Sequence, residues 1–553
     1  MISDARNVPA SASLKADVCI VGAGAAGITM ALSLRHRGLR VLLLESGGEA
    51  DEEATQALYA GEVADEALHS PPDKYRKRVF GGSTTIWGGR SMPFDPIDFE
   101  ARDYIPHSGW PITFNDLAPY YPKANSLVEA GVFDYSARSA LPDAPPVIKG
   151  YQSDAVPCDQ LERFSCPTNF ARRYRHRLQE APHIEVLLHA NVTHIQLTPD
   201  GQTVQHLVCK TLDGKQFTAS ACQYVLATGG IEVARLLLAS RDVNPQGVGN
   251  EHDQVGRYYM CHIAGNVGKV VLKGSPDAVH HGYDVSAEGV YCRRRFSVPA
   301  SKQRELGIGN VVARLHFPTI TDPAHRNGVL SGLFLAKNLI SYEYGKRLQS
   351  KERDTIGRYA RHLLNVATDP WHTAGFLLHW IRYRTLAERK FPSVVLKNKT
   401  NLFSLDVHGE QAPNPHSRIT LSDQKDALGM PCSRIDWRYS EIDITSVDKT
   451  LTLLGSELAR QGLGELSYDP ASLASDLTMY GAYGGHHIGT ARMGSDKRHS
   501  VVDANCKLHG VANLYVASAA VFTTSSQANP TLTIVALALR LADHLRSLHP
   551  VAS

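Results

Sequence analysis

The sequence predicts an α/β protein with an additional antiparallel sheet, its α/β part drawn from both ends and the middle of the chain. Three observations predict this. A complete strand–helix–strand unit opens the chain in DVCIVGAGAAGITMALSLRHRGLRVLLLES. The same texture returns near residues 185–240 and again close to the C-terminus. Between those two, residues 265–345 alternate apolar and polar positions with the period of two that antiparallel strands show.

In order along the chain, the first twelve residues are polar and are expected to fray. DVCIV is a short buried-strand run, the glycines after it form a turn, ITMALSLRHRG has helical spacing, and LRVLLLE is a second buried strand. Residues 50–185 mix Pro and Gly breaks with aromatics and show no clean period. IEVLLHANVTHIQLT and HLVCKTLDGKQFTASACQYVLATGG read as strands joined by Pro-Asp-Gly and Asp-Gly turns, and IEVARLLLAS as a helix. From about Ser350 to Lys390 the chain turns helical and basic, with Trp371 and Trp380. It reads as an insert with a solvated charged face, or as a lid or partner-binding element. Strands return in NLFSLDVHGEQAPNPHSRITLS and a helix in SVDKTLTLLGSELARQG. NLYVASAAVF is strand and loop, and NPTLTIVALALRLADHL a buried helix.

At 553 residues the chain calls for about two domains. Its 43% hydrophobic and 20% charged residues describe an ordinary globular protein. A net charge of +3 gives no electrostatic case for nucleic acid or an anionic membrane. No apolar run approaches the roughly 18 residues of a transmembrane helix, and MISDARNVPASASLKAD lacks the apolar core of a signal peptide. Nine scattered cysteines suit free thiols in a reducing compartment, and the expected location is the cytoplasm.

Gly22, Gly24 and Gly27, with Ala25 and Ala26 between them, form G-x-G-x-x-G between the first strand and its helix. The first glycine permits the tight turn, the second lets a pyrophosphate approach the backbone, and the third lets helix and strand pack closely. Free N–H groups at the helix start favour phosphate. Glu45, eighteen residues past Gly27 and followed by Ser46, closes the second strand, where a carboxylate accepts from ribose hydroxyls. These residues predict a dinucleotide site and leave NAD and FAD both open.

Further segments carry a family likeness. RVFGGSTTIWGGR (78–90), YVLATGGIEVARLLLAS with VGRYYMCHI, and HHIGTARMG with ANLYVASAAVF and ANPTLTIVALALRLADHL resemble motifs of the glucose–methanol–choline (GMC) oxidoreductases. EQAPNPHSRITLS is similar to a pattern of that family's sugar (pyranose) oxidase and dehydrogenase branch. The resemblance implies FAD, a Rossmann-like flavin domain over 14–90, 185–265 and 485–553, and an interleaved substrate domain over 91–184 and 266–484. That second domain would stand on a six-stranded antiparallel sheet and carry the helical insert near 350–395.

Gly81, Gly82, Gly88 and Gly89 would let backbone crowd a flat isoalloxazine ring. Ser83 offers polar contacts to its edge, and Trp87 lies in the same loop. Ala227, Thr228 and Gly229, with Gly230 next, end a strand at a place suited to close approach. The resemblance assigns the Val192 backbone to the adenine and puts Ser518, Ala519, Pro530 and Thr531 near the flavin; Ser518 stands where the family often has Gly or Asp. Ile86 occupies the place of the histidine that bonds flavin covalently in pyranose 2-oxidase-type relatives, so FAD is expected to be non-covalent. Nothing completes a cluster around Cys158 and Cys166, and neither a metal nor an iron–sulfur cluster is expected.

Oxidising an alcohol requires its hydroxyl proton to leave as hydride goes to flavin N5, and neutral imidazole titrates near working pH. The resemblance places this base on His486, with His487 the neighbouring alternative; on an extended segment the two would face opposite ways. The second member falls on Asn529, whose amide can donate to the substrate oxygen, although Asn before Pro530 is also a common helix N-cap. His262 reads as structural. The expected activity is FAD-dependent oxidation of a sugar, glycoside or other polyol, or of a hydroxylated natural product, with oxygen or a quinone-like acceptor. A lyase that keeps FAD structurally and an NAD-dependent dehydrogenase are the rival readings.

Overall fold

The computed structural model describes residues 1–35, 38–339, 355–396, 398, 400–478 and 485–549. Expectations placed on 340–354, where alternation was to end and the basic insert to begin, lie outside the described residues, as do those on 36–37, 479–484 and 550–553.

Strands Ser13–Val21 and Val41–Leu44 are apolar along their inner lengths and buried on both faces, which a parallel strand sandwiched between covering layers requires. They lie at the centre of an eight-stranded sheet ordered Ile2–Asp4, Ile184–Leu188, Val41–Leu44, Ser13–Val21, Gln216–Leu226, Val204–Lys210, Asn191–Leu197. The first five are parallel and the last two close as an antiparallel meander. Leu514–Val516 joins in parallel beside the C-terminal half of Gln216–Leu226. Helix Ala25–Leu34, buried over nine of its residues, packs against the C-terminal helix Thr531–Leu548. The chain start is not frayed: Ile2–Asp4 pairs along Ile184–Leu188, and the Met1 ammonium donates to the Ile184 carbonyl at 2.7 Å. Edge pairing ties down a segment whose polarity alone suggested disorder.

A second sheet is antiparallel throughout. Its path is Gly464–Ser467, His262–Leu272, Leu402–Glu410, Val311–His316, Tyr291–Ser297, Gln160–Phe164 and Arg90–Ser91, with Asp284–Val285 beside Tyr291–Ser297. It has eight strands rather than the six that the family resemblance implies, the two shortest having two residues each. Alternation holds through His316, after which the chain turns helical at Gly328–Leu335, where VLSGLFL is apolar without a period of two. A hairpin of Arg418–Lys425 and Pro431–Asp436 takes Gly61–Val63 as a parallel third strand.

Candidate active site

The turn after Ser13–Val21 is shaped by its glycines. Gly22 sits at a φ of 101°, and a Cβ on Gly27 would lie 1.9 Å from the Gly22 carbonyl oxygen. Helix and strand meet here only because neither position has a side chain. Gly24 has open space where a Cβ would be, and the helix it precedes has no side-chain cap. The uncapped first turn leaves N–H donors for a ligand.

A cavity of about 730 Å³ begins at this turn. Its wall takes in Gly22, Gly24, Ala25 and Ala26, then Glu45 and Ser46, then Gly82, Ser83, Trp87, Gly88 and Gly89. Val192, Ala227, Thr228, Gly229, Ser518 and Ala519 follow, with Asn529, Pro530, Thr531 and His486. Two of the expected positions stand behind the wall instead. Gly27 packs on Gly22, and Gly81, at a φ of 95°, donates its N–H to the Ala23 carbonyl at 3.0 Å. Their role is to shape the turn.

Several side chains are already engaged. The buried Glu45 carboxylate accepts from the Ala23 N–H at 2.8 Å, the Gly47 N–H at 2.9 Å and the Ser46 hydroxyl at 3.3 Å. Burial raises its pKa and these donors work against that. With about four acceptor positions on a carboxylate, Glu45 retains capacity for ribose. Ser518 Oγ accepts from the Ala520 N–H at 3.0 Å, and the Trp87 indole donates to the Thr168 carbonyl at 2.9 Å.

Two wall atoms, Arg78 Nη1 and Thr228 Oγ1, are buried without a hydrogen-bond partner among the described residues. Such orphans cost about 1–3 kcal/mol each. A phosphate and a polar ring edge are the groups that would satisfy them, so the cavity fits a flavin dinucleotide. Arg78 had no sequence signal beyond its place at the head of RVFGG.

Further along the wall, residues from distant parts of the chain converge. Arg90 Nε donates to Asn529 Oδ1 at 2.7 Å, which turns the amide nitrogen of Asn529 toward His486. Asn529 Nδ2 donates to His486 Nε2 at 3.2 Å. An Nε2 that accepts leaves the proton of the neutral ring on Nδ1, and His486 Nδ1 lies 2.9 Å from His262 Nδ1, which must then accept. Burial first, then His262, Arg90 and His487, hold His486 well below the ordinary histidine pKa. The helix after Asn529 takes Pro530 as its N-cap, and the Asn529 side chain makes no capping bond.

His262, read from sequence as structural, thus touches the candidate base, and His408 packs on it with ring centroids 4.3 Å apart. His408 Nδ1 donates to the Gln527 carbonyl at 2.6 Å. The three rings offer nitrogens within 4.8 Å of one another, a spacing open to a cation. The 2.9 Å separation of the two Nδ1 atoms is that of a hydrogen bond with one proton between them, so His262 fixes the proton of His486, with His408 packed on its ring. His262, His408 and His486 belong to separate segments, and no local spacing announces them. His486 and His487 are in an extended loop rather than a strand, bridged at Ile488 to Met260. They still diverge: His487 faces His69 and stacks near Tyr259, with centroids 6.5 and 6.1 Å away.

Beyond the histidine the wall is supplied by the antiparallel sheet. Arg90 lies 3.7 Å from Glu162, Arg314 pairs with Glu162, and Arg314 lies 3.1 Å from Asp406. Burial would raise the Glu162 pKa, but Arg314 and Arg90 hold it below its usual value. Tyr283, Arg293 and His316 complete this charged, hydrogen-bonding end.

Two family models match the chain: "FAD dependent oxidoreductase" over residues 17–310 and "GMC oxidoreductase" over 413–538. The 2-methyl-1,2-propanediol dehydrogenase of Mycolicibacterium austroafricanum is 23% identical across 96% of this chain and 95% of its own. The fructose dehydrogenase large subunit of Gluconobacter japonicus is also 23% identical, across 96% and 98%. Among solved structures, pyridoxine 4-oxidase from Mesorbium loti superposes with a TM-score of 0.54 at 18% identity, covering 97% of this chain and all of that one.

Proposed function

The chain belongs to the GMC-type FAD-dependent oxidoreductases, and from that premise we propose that it oxidises a hydroxyl of a sugar, glycoside or other polyol. The family assignment removes the nicotinamide alternative. The observation that carries the substrate class is the wall of Arg90, Glu162, Arg314 and Asp406 beside the His486–Asn529 pair. Alternating donors and acceptors in a half-enclosed site match a molecule with several hydroxyls, and would be a desolvation cost to an apolar alcohol. Relatives named for a diol and for fructose support the same class.

FAD, when bound, supplies the hydride acceptor at N5. The chain's own residues do the rest. The substrate hydroxyl enters between Asn529 Nδ2 and His486 Nε2, accepting a hydrogen bond from the amide and donating its proton to the imidazole. His486 is ready because its Nδ1–H is committed to His262, which leaves the Nε2 lone pair facing the substrate. Arg90 holds Asn529 in the donating orientation. The flavin is held without a covalent bond, and the substrate oxygen stays within reach of two fixed groups, as an efficient base requires.

The test is a panel of sugars, glycosides, polyols and simple alcohols added to the enzyme without oxygen, with flavin bleaching as the readout. Polyols should bleach the flavin and simple alcohols of similar size should not. Bleaching by simple alcohols alone would overturn the substrate class. The same panel in air and with a dye acceptor separates oxidase from dehydrogenase.

A further inference from the structure

The helical insert is built inside out. In helix Ile356–Thr368 the residues turned to the protein are polar: His362 bonds the Ser331 hydroxyl at 3.0 Å, and Asn365 donates to the Pro323 carbonyl at 2.9 Å. The residues turned to solvent are Ile356, Leu363 and Leu364. In the next helix, Pro370–Trp380, no residue is buried although most are apolar, and Trp371 is 88% and Leu378 69% exposed. Nine of the seventeen large apolar side chains exposed among the described residues fall within residues 356–386. Scattered apolar side chains on a surface need no explanation, but a contiguous cluster does.

Charge accompanies the apolar face. Residues 355–396 hold six Arg or Lys against Asp369 and Glu388; Arg384, Arg389 and Lys390 donate to backbone carbonyls near the cavity rim. Arg361 and Arg382 are exposed beside the leucines. The helices are thirteen and eleven residues long, too short to cross a bilayer and suited to lying in its surface. We infer that this helix pair is a docking surface for an anionic lipid bilayer: Trp371, Leu377 and Leu378 enter the acyl boundary and Arg361 and Arg382 meet the headgroups. The insert is fastened to the cavity rim, since Arg389 donates to the Phe164 carbonyl at 2.9 Å, the Lys390 N–H donates to Cys166, and Pro392, Ser393 and Val394 line the cavity. Docking therefore sets the cavity mouth beside the bilayer, and it holds whichever alcohol the enzyme oxidises.

Flotation of the FAD-loaded protein with vesicles tests this, using phosphatidylcholine alone and phosphatidylcholine mixed with phosphatidylglycerol. Recovery with the anionic vesicles should be high, should fall as salt rises, and should be much lower on the neutral ones. Trp371→Ser with Leu378→Ser should lower anionic-vesicle binding at least about tenfold, and Arg361→Gln with Arg382→Gln should remove the preference for anionic lipid. All four sites are exposed, so flavin content and thermal midpoint should stay at wild-type values. No flotation, or equal flotation of wild type and the serine variant, overturns the inference. So does a lipid-free dimer, seen by sedimentation, that the serine variant abolishes, because the face would then serve a second copy of the chain.

Discussion

His486 and Asn529 lie 43 residues apart and meet at 3.2 Å, so each can be removed while the other stays placed. His486→Ala should leave FAD bound and slow anaerobic flavin bleaching by roughly 100- to 10,000-fold, the usual worth of a positioned base. His487→Ala should cost far less, because that ring faces His69 and Tyr259. Asn529→Ala should fall between, losing the donor and freeing Arg90. Wild-type bleaching in both histidine variants would sink the mechanism. Glu45 is tested separately. Glu45→Ala removes ribose acceptors and also frees the Ala23 and Gly47 N–H groups that shape the turn, so the protein should purify with clearly less flavin than wild type. Unchanged flavin content would show that neither loss matters. The pair His486–Asn529 was legible because each lies in a local motif. His262 and His408 were not, since only the antiparallel sheet brings those strands beside the loop that holds His486.

At the scale of elements, legibility followed how local the signal was. The first strand–helix–strand unit and the helix Thr531–Leu548 were readable from period and glycine placement. The edge strand Ile2–Asp4 was not, because a three-residue strand draws its order from its neighbour. The insert was readable as helical and basic, but its apolar outer face was not, because the exposure of Trp371, Leu377 and Leu378 is set by how the helices pack. The loop holding Gly82, Ser83 and Ile86 carries its own test. Ile86 lines the cavity at the end of the short turn Gly82–Thr85, and an alkyl side chain offers no nucleophile to the flavin. Acid precipitation should leave all yellow colour in the supernatant; colour kept in the pellet would mean a covalent bond to some other wall residue.

At the scale of the whole molecule, histidines from separate parts of the chain are desolvated in several places, with His262, His408 and His486 grouped together, and this has a consequence for stability. His262 is pushed down to about 3 and His281 and His325 to about 4, chiefly by burial; His408, His486 and His487 are also held well below their ordinary value. As pH falls below about 6.5 the unfolded chain takes up protons at these six sites that the folded chain refuses, so acid favours unfolding. Asp443, raised to about 7 by burial, and Asp98, raised likewise, act in the opposite direction. Between pH 7 and 4 the folded chain holds their protons and the unfolded chain does not. With His107 and His544 also lowered, eight histidines outweigh the raised Asp98, Asp443, Glu45 and His280, and each excess proton is worth on the order of 1.4 kcal/mol per pH unit, against a total stability of about 5–15 kcal/mol. The thermal midpoint, measured with excess FAD to hold ligand linkage constant, should be level from pH 8 to 7 and drop steeply from 6.5 to 4.5. His325→Phe, outside the cavity wall, should make that drop shallower while leaving bleaching intact. A midpoint that stays level or rises through this window would mean that the buried histidines are reached by water and charge freely in the folded protein.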